Sequence, residues 1–327
     1  MDRLGSRHRV LAELRRRQGE YISGEELSRK LGLSRTAVWK HIQALRREGY
    51  RVAASTRRGY ALLDTPDCFY PEEVVNGLRT SWLGRPFYYY DEVGSTNQVA
   101  KDLADGGAPE GTVVVAETQK SGRGRLGRSW FSPGSKGIWV SVVLRPRVPP
   151  VQLPQLSLLA AVAAVEAVEE TTGLRPGIKW PNDLLLRERK LAGILTEMRA
   201  EMDTTQYVVL GIGINVNLAQ EDFTPDIRPL ATSLEVELGR RVERLPLLQA
   251  LLYRLEAWYE RWQEEGFAPV AQAWREASIT LGHQVRVVAA ERVYAGRAVD
   301  IDGEGALLVE EEGGNLRRFH YGEISLR

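Results

Sequence analysis

The chain has 327 residues, 43% hydrophobic and 27% charged, enough apolar content for two or three packed domains and an ordinary charge load for a folded protein. Its single cysteine, Cys68, excludes an internal disulfide framework and a CxxC metal site. No apolar run is expected to reach the eighteen or so residues that would span a bilayer, and the arginine-rich start lacks a signal-peptide core, so a cytoplasmic protein without a membrane partner is expected. The net charge of +1 hides an asymmetry: residues 1–60 hold 15 Lys and Arg against 6 Asp and Glu, and the remainder 29 against 37. A head of +9 on a body of −8 fits a nucleic-acid-binding module joined to a different domain.

From the N-terminus, Val10, Leu11 and Leu14 predict the buried face of a helix over 8–18. Ser23 with Glu26 is a capping-box pattern that opens a short helix, and Gly32 stops it. Ser34 is a good N-cap for a second helix to about Glu48, with Val38, Ile42 and Leu45 inward and Arg35, Thr36 and Lys40 outward. Two short helices around a glycine-bearing turn predict a helix-turn-helix whose second helix enters the major groove. Ser34, Arg35, Thr36 and Lys40 would then meet DNA. The runs 50–54 and 60–63 predict a hairpin, a wing with Arg57 and Arg58 at its tip. Residues 64–71, with Pro66 and Pro71, read as a linker, and Cys68 as a spectator within it.

Beyond residue 70, strands are predicted over 87–93, 112–116, 138–144, 178–180, 184–186, 191–197 and 207–214. Helices are predicted over 95–105, 155–172, 246–262 and 268–277, Ser95 being the N-cap of the first. Strands clustered by short turns, with inserted helices, predict an α+β domain with a mixed or largely antiparallel sheet. From about 281, short β runs split by glycines predict a small all-β barrel. The expected domains are 1–65, 70–277 and 278–327.

Three segments carry chemistry. Gly122-Arg-Gly-Arg-Leu-Gly-Arg128 follows Gln119 and precedes Trp130. Glycine lets backbone N–H groups approach an anion, and arginine adds bidentate donors, so an anionic small ligand is expected on a loop that is mobile when empty. Lys179-Trp-Pro-Asn-Asp183 ends a strand in a turn, with Lys190 and Gly211-Ile-Gly-Ile-Asn215 after it; turn chemistry alone would also explain Pro-Asn-Asp. Ser95-Thr-Asn97 starts a helix, where a serine is commonly only a cap.

Taken in order, Ser95-Thr-Asn97, the Gln119/Gly-Arg/Trp130 segment, Lys-Trp-Pro-Asn-Asp, Arg189-Lys-Leu-Ala-Gly-Ile194 and Gly-Ile-Gly-Ile-Asn resemble the motif set of biotin–protein ligases. The helix-turn-helix and the tail Gly322-Glu-Ile-Ser-Leu326 resemble the bifunctional class, the biotin operon repressors. The resemblance implies a winged helix-turn-helix, a class II synthetase-like catalytic domain and an SH3-like barrel. It implies biotin contacts at Ser95, Thr96, Asn97, Gln119, Arg123, Gly124, Arg125 and Lys179. Nucleotide contacts follow at Trp130, Asn182, Lys190 and Asn215, and Arg123, Arg125 and Lys179 would act in catalysis. Biotin and ATP would be substrates, with Mg²⁺ on ligands the sequence does not identify. A biotin carboxyl carrier domain and operator DNA would be partners, and the adenylate-loaded form a homodimer. Two alternatives stay open at this point: a sensor that catalyses nothing, and a lipoate–protein ligase.

Overall fold

The computed structural model describes residues 5–201, 204–289 and 292–326. The chain divides into two units, Met1–Asp67 and Cys68–Arg327.

The first unit contains α1 (Ser6–Arg16), α2 (Gly24–Leu31), α3 (Arg35–Arg47) and the antiparallel hairpin of β1 (Arg51–Ser55) and β2 (Gly59–Asp64). α2 and α3 start where short polar side chains satisfy free backbone donors. Ser23 accepts from the Glu26 N–H at 3.0 Å, and Ser34 from the Ala37 N–H at 3.1 Å. Gly32, at φ +66°, ends α2 in the left-handed region. Val10, Leu11, Leu14, Leu27, Val38, Ile42 and Leu45 are buried together as the 3.6-residue spacing requires. Gly59 is fixed by space as well as by φ +100°: a Cβ there would lie 2.1 Å from the Ile22 carbonyl oxygen.

In the second unit the chain runs α4 (Pro71–Gly77), β3 (Phe87–Val93), α5 (Thr96–Asp105), β4 (Val113–Gln119), β5 (Gly137–Leu144), α6 (Pro154–Thr172), β6 (Gly177–Lys179), β7 (Asp183–Leu186), β8 (Arg189–Glu201), β9 (Thr204–Asn215), α7 (Leu234–Leu238), α8 (Arg244–Glu265) and α9 (Ala268–Ala277). The seven strands form one sheet in the order β3-β4-β5-β9-β8-β7-β6. β3 and β4 pair in parallel and the other neighbours antiparallel, the mixed sheet expected of an α+β domain. Successive valines of β4 serve opposite faces. Val113 and Val115 join the large core beneath α6, α8 and α9, whereas Val114 packs with Ala100 and Ala104 of α5.

A five-stranded antiparallel sheet follows, from β10 (Gln284–Ala289), β11 (Arg292–Ile301), β12 (Leu307–Glu311), β13 (Leu316–Phe319) and β14 (Glu323–Leu326), in the order β13-β12-β11-β10-β14. Its Val285, Val287, Leu307 and Val309 belong to the same apolar core as α6. Trp180 ties the two sheets: its indole N–H donates to the Gly305 carbonyl at 3.2 Å and its backbone N–H to Thr280 Oγ1 at 2.9 Å.

Four expectations need correction. The segment 64–71 is not a linker throughout, because Cys68 and Phe69 are buried and Phe69 enters the main core. Pro71 opens α4 at its first position, where its fixed φ suits a helix and its missing N–H is not needed. The stretch 150–172 is, by length and composition, long and apolar enough to cross a membrane. It is the core helix, with Leu156, Leu159, Ala163 and Val168 fully covered. Finally, Ser95 stands at the N-cap of α5, but its hydroxyl makes no cap bond.

Behind the sheet, Arg244 is fully buried. It donates to Glu117 Oε2 at 2.7 Å and to the Gly137 carbonyl at 3.2 Å, and covers the Phe69 ring at 4.6 Å. It thereby fixes β4 against β5, the strands that lead into Gln119 and the following loop. Arg244→Ala leaves Glu117 without its cation. It should cost ~3–5 kcal/mol of folding free energy, as for a broken buried pair, read from denaturant unfolding. A loss within about 1 kcal/mol would refute this role.

Candidate active site

A cleft of about 370 Å³ opens over β5, β8 and β9 and is bordered by β14 and the loop after β4. Most of the residues singled out by the sequence meet here. Ser95, Thr96, Asn97, Gln119, Arg123, Gly124, Arg125, Trp130, Lys179, Asn182 and Lys190 all line it.

One part is neutral and polar. The start of α5 places Ser95, Thr96 and Asn97 there, each almost fully buried. Gln119 Oε1 accepts from the Thr96 backbone N–H at 2.8 Å and from its hydroxyl at 3.1 Å, and Gln119 Nε2 donates to Ser132 at 2.8 Å. Ser141, fully buried on β5, lies 2.6 Å from Asn97 Oδ1 and 2.8 Å from Thr96 Oγ1. Glycines on β9 make room for this assembly. A Cβ at Gly211 would lie 2.1 Å from Asn97 Oδ1, and one at Gly213 would lie 2.5 Å from Trp130 Nε1. These glycines sit mid-strand, within the strand expected over 207–214, because bulkier side chains cross above them.

The other part is cationic. Lys179 ends β6 at the mouth of the turn through Pro181. Burial pushes its ammonium pKa down, and Lys190 adds to the effect, while Asp183 and Glu323 oppose it. Lys190 pairs with Asp183 at 2.7 Å and lies 5.3 Å from the centre of the Trp130 ring. The guanidinium of Arg125 is half-buried, and burial lowers its pKa against the pull of Asp183 and Glu323. Arg125 donates to Asn182 Oδ1 at 3.0 Å, and Asn182 in turn donates to the Ile194 carbonyl at 2.8 Å. Arg123 is exposed at the rim.

Between Arg123 and Arg128 the loop closes on itself. The Gly124 N–H donates to the Arg128 carbonyl at 2.7 Å, residues Arg125–Gly127 form a 3₁₀ turn, and Leu126 takes φ 55° with its side chain exposed. From the second sheet, Glu323 pairs with Arg128 at 2.5 Å, and the Gly322 carbonyl lies 3.4 Å from Arg125 Nη1.

Asn215 is the exception. It does not line the cleft; its amide is buried and donates to the Thr232 carbonyl at 3.0 Å. Sequence reasoning missed Ser141, Glu197 and Glu323. Ser141 looked like any polar residue in an apolar strand. Glu323 lies in the tail motif, the one signal that pointed to it.

In the N-terminal unit, Ser34, Arg35, Thr36 and Lys40 are exposed at the start of α3, and Arg57 and Arg58 at the hairpin tip. Arg35 reaches Glu25 at 2.6 Å, and Arg58 covers the Tyr21 ring at 4.0 Å. Trp39, missed from the sequence, stands 51% exposed on the same helix.

Three family models match the chain: an HTH domain over 7–61, the biotin/lipoate A/B protein ligase family over 90–215, and the biotin protein ligase C terminal domain over 280–327. The bifunctional ligase/repressor BirA of Bacillus subtilis (strain 168) is 43% identical over 94% of each chain, and that of Escherichia coli (strain K12) 33% over 94% of each. Among solved structures, the biotin protein ligase from Aquifex aeolicus in complex with biotin and ATP superposes with a TM-score of 0.64 at 31% identity. That match covers 74% of this chain and 98% of the other. With the helix-turn-helix, the mixed sheet and the C-terminal β-domain present in that order, the chain belongs to the bifunctional ligase/repressor BirA family.

Proposed function

We propose that the chain joins biotin to ATP as biotinoyl-5′-AMP, transfers the biotinoyl group to a lysine of a carboxyl carrier domain, and represses the biotin operon with the adenylate as co-repressor. The observation that carries this reading is the division of one cleft into a neutral hydroxyl–amide floor and a half-buried set of cations. Biotin has a neutral ureido ring at one end and a carboxylate at the other. Ser95, Thr96, Asn97 and Gln119 suit the ring, and Arg123, Arg125, Gly124 and Lys179 suit the carboxylate beside the ATP phosphates. Trp130 offers a face to adenine, with Lys190 beside it. Asn182 contributes by holding Arg125.

The chemistry needs no nucleophile from the protein. A biotin carboxylate oxygen attacks the α-phosphorus, the bond to the bridging oxygen breaks, and pyrophosphate leaves. Lys179, Arg123 and Arg125 oppose the charge that gathers between two anions, and the half-burial of Lys179 and Arg125 strengthens their attraction. A neutral lysine amine from the carrier then attacks the acyl carbon and AMP departs. Asp183 is the lining carboxylate suited to orient that amine. Mg²⁺ would arrive with ATP and lower the repulsion between its phosphates and the carboxylate. Among the described residues no group of three or more acidic, His or Cys side chains could hold a metal. Asp183 is the lining carboxylate that would hold the ion beside the phosphates.

The loop Gly122–Arg128 would cover the adenylate and exclude water. Loop closure would also favour a homodimer that presents two α3 helices to operator DNA in the cytoplasm.

Biotin-dependent exchange of labelled pyrophosphate into ATP tests the ligase half; an active, folded protein without exchange would refute it. Lys179→Ala should lower the adenylation rate ~10²–10³-fold, the scale of a lost charge-stabilising donor. Near-normal turnover would remove Lys179 from this role. Because burial depresses the Lys179 pKa, its charge is lost as pH rises, below the ordinary lysine value of about 10.4. kcat/KM should fall there, and Lys179→Arg should move the fall to higher pH. An unchanged profile would sink the assignment. Deleting residues 1–64 should abolish the gel shift of biotin-operon DNA while leaving exchange; retained DNA binding would overturn the role of the N-terminal unit.

A further inference from the structure

The hydroxyls and amides of the cleft floor form one hydrogen-bonded chain, and both of its ends have a fixed direction. At one end Asn97 Nδ2 donates to Glu197 Oε2 at 2.8 Å and faces the Leu195 carbonyl at 3.4 Å. A carboxylate and a carbonyl only accept, so Asn97 must turn its nitrogen toward them and its oxygen toward Ser141. The hydroxyl of Ser141 has one proton, and Asn97 Oδ1, 2.6 Å away, takes it. Toward Thr96 Oγ1, at 2.8 Å, Ser141 is then an acceptor.

At the other end Ser132 Oγ donates to the Trp130 carbonyl at 3.1 Å and therefore accepts from Gln119 Nε2 at 2.8 Å. The oxygen of Gln119 consequently faces Thr96, whose backbone N–H can only donate to it. The hydroxyl of Thr96 thus lies between two acceptors, Ser141 Oγ and Gln119 Oε1. Its single proton is used inward, and it offers a lone pair to the cleft.

Lys101 stands one helical turn beyond Asn97 and pairs with the second oxygen of Glu197. Burial opposes the charge of Glu197, but the bonds from Lys101 and Asn97 outweigh it and hold the carboxyl below its ordinary range. Neither Lys101 nor Glu197 lines the cleft.

We propose that Lys101 and Glu197 are positioning residues that set the polarity of the floor. Acting through Asn97 and Ser141, they place a second acceptor beside Thr96, opposite Gln119 Oε1, so that its proton stays inward and it meets the cleft as a hydrogen-bond acceptor, matched to a ureido N–H and not to its carbonyl. This rests on the biotin reading of the cleft and adds to it the source of the donor–acceptor pattern.

The test is biotin-dependent pyrophosphate exchange by the full chain. In Glu197→Gln the new amide can donate as well as accept, so Asn97 can turn over and the chain can reverse. The biotin KM should rise about tenfold or more, equivalent to ~1.4 kcal/mol. kcat and the ATP KM should stay within about twofold, the signature of lost ground-state binding. Ser141→Ala breaks the same chain and should give the same split. The double variant should be no worse than the weaker-binding single variant, because one chain cannot be broken twice. Additive effects in the double variant overturn the assignment, as does a biotin KM within about twofold of wild type in Glu197→Gln. Either result leaves the ligase reading intact. If Glu197→Gln does not yield folded protein, Lys101→Met with Ser141→Ala carries the test. A rise in biotin KM alone supports the assignment, and an unchanged KM overturns it. Exchange absent from the wild-type protein would remove the biotin reading, and this inference with it.

Discussion

The second unit depends on keeping positive charge half out of water without neutralising it. Lys179 and Arg125 are both pushed toward their neutral forms by burial, and Asp183 and Glu323 pull them back. Those acids do not quench the cleft, because each has its own partner: Lys190 for Asp183, Arg128 for Glu323. The result is cationic surface held in a low-dielectric wall, ready for an anion that brings more charge than the resident acids supply.

The neutral floor depends on a different economy. Its side chains are buried, so its polar atoms need partners, and the partners are other side chains and backbone groups of fixed direction. Small residues on the strands beneath make this possible. With any side chain at Gly211, the Asn97 amide would lose its place; with one at Gly213, the Trp130 indole would. Close approach, and not turn geometry, explains both glycines.

The N-terminal unit is built by more local rules. Two serine caps, one left-handed glycine and a 3.6-residue apolar spacing specify its three helices almost without reference to distant residues. Its charged residues remain on the surface, and two of them already have neighbours, Glu25 for Arg35 and the Tyr21 ring for Arg58. Trp39 adds an apolar element to that face.

Sequence alone therefore determined what depends on short-range chemistry. The caps, the apolar periods, the charge asymmetry and the order of the motifs were all legible, and the motif set pointed to nearly every side chain that lines the cleft. What tertiary structure decided was how distant segments use one another. Ser95 is an N-cap without a cap bond, Pro71 starts a helix where a break was expected, and the most apolar helix lies under a sheet and not in a bilayer. Asn215, alike in type to Asn182, is spent on the Thr232 carbonyl. Ser141 and Glu197 carry no local signal, because the direction of a hydrogen bond belongs to the pair that makes it. Here the pairs join α5 to strands lying some forty-five and one hundred residues further along the chain.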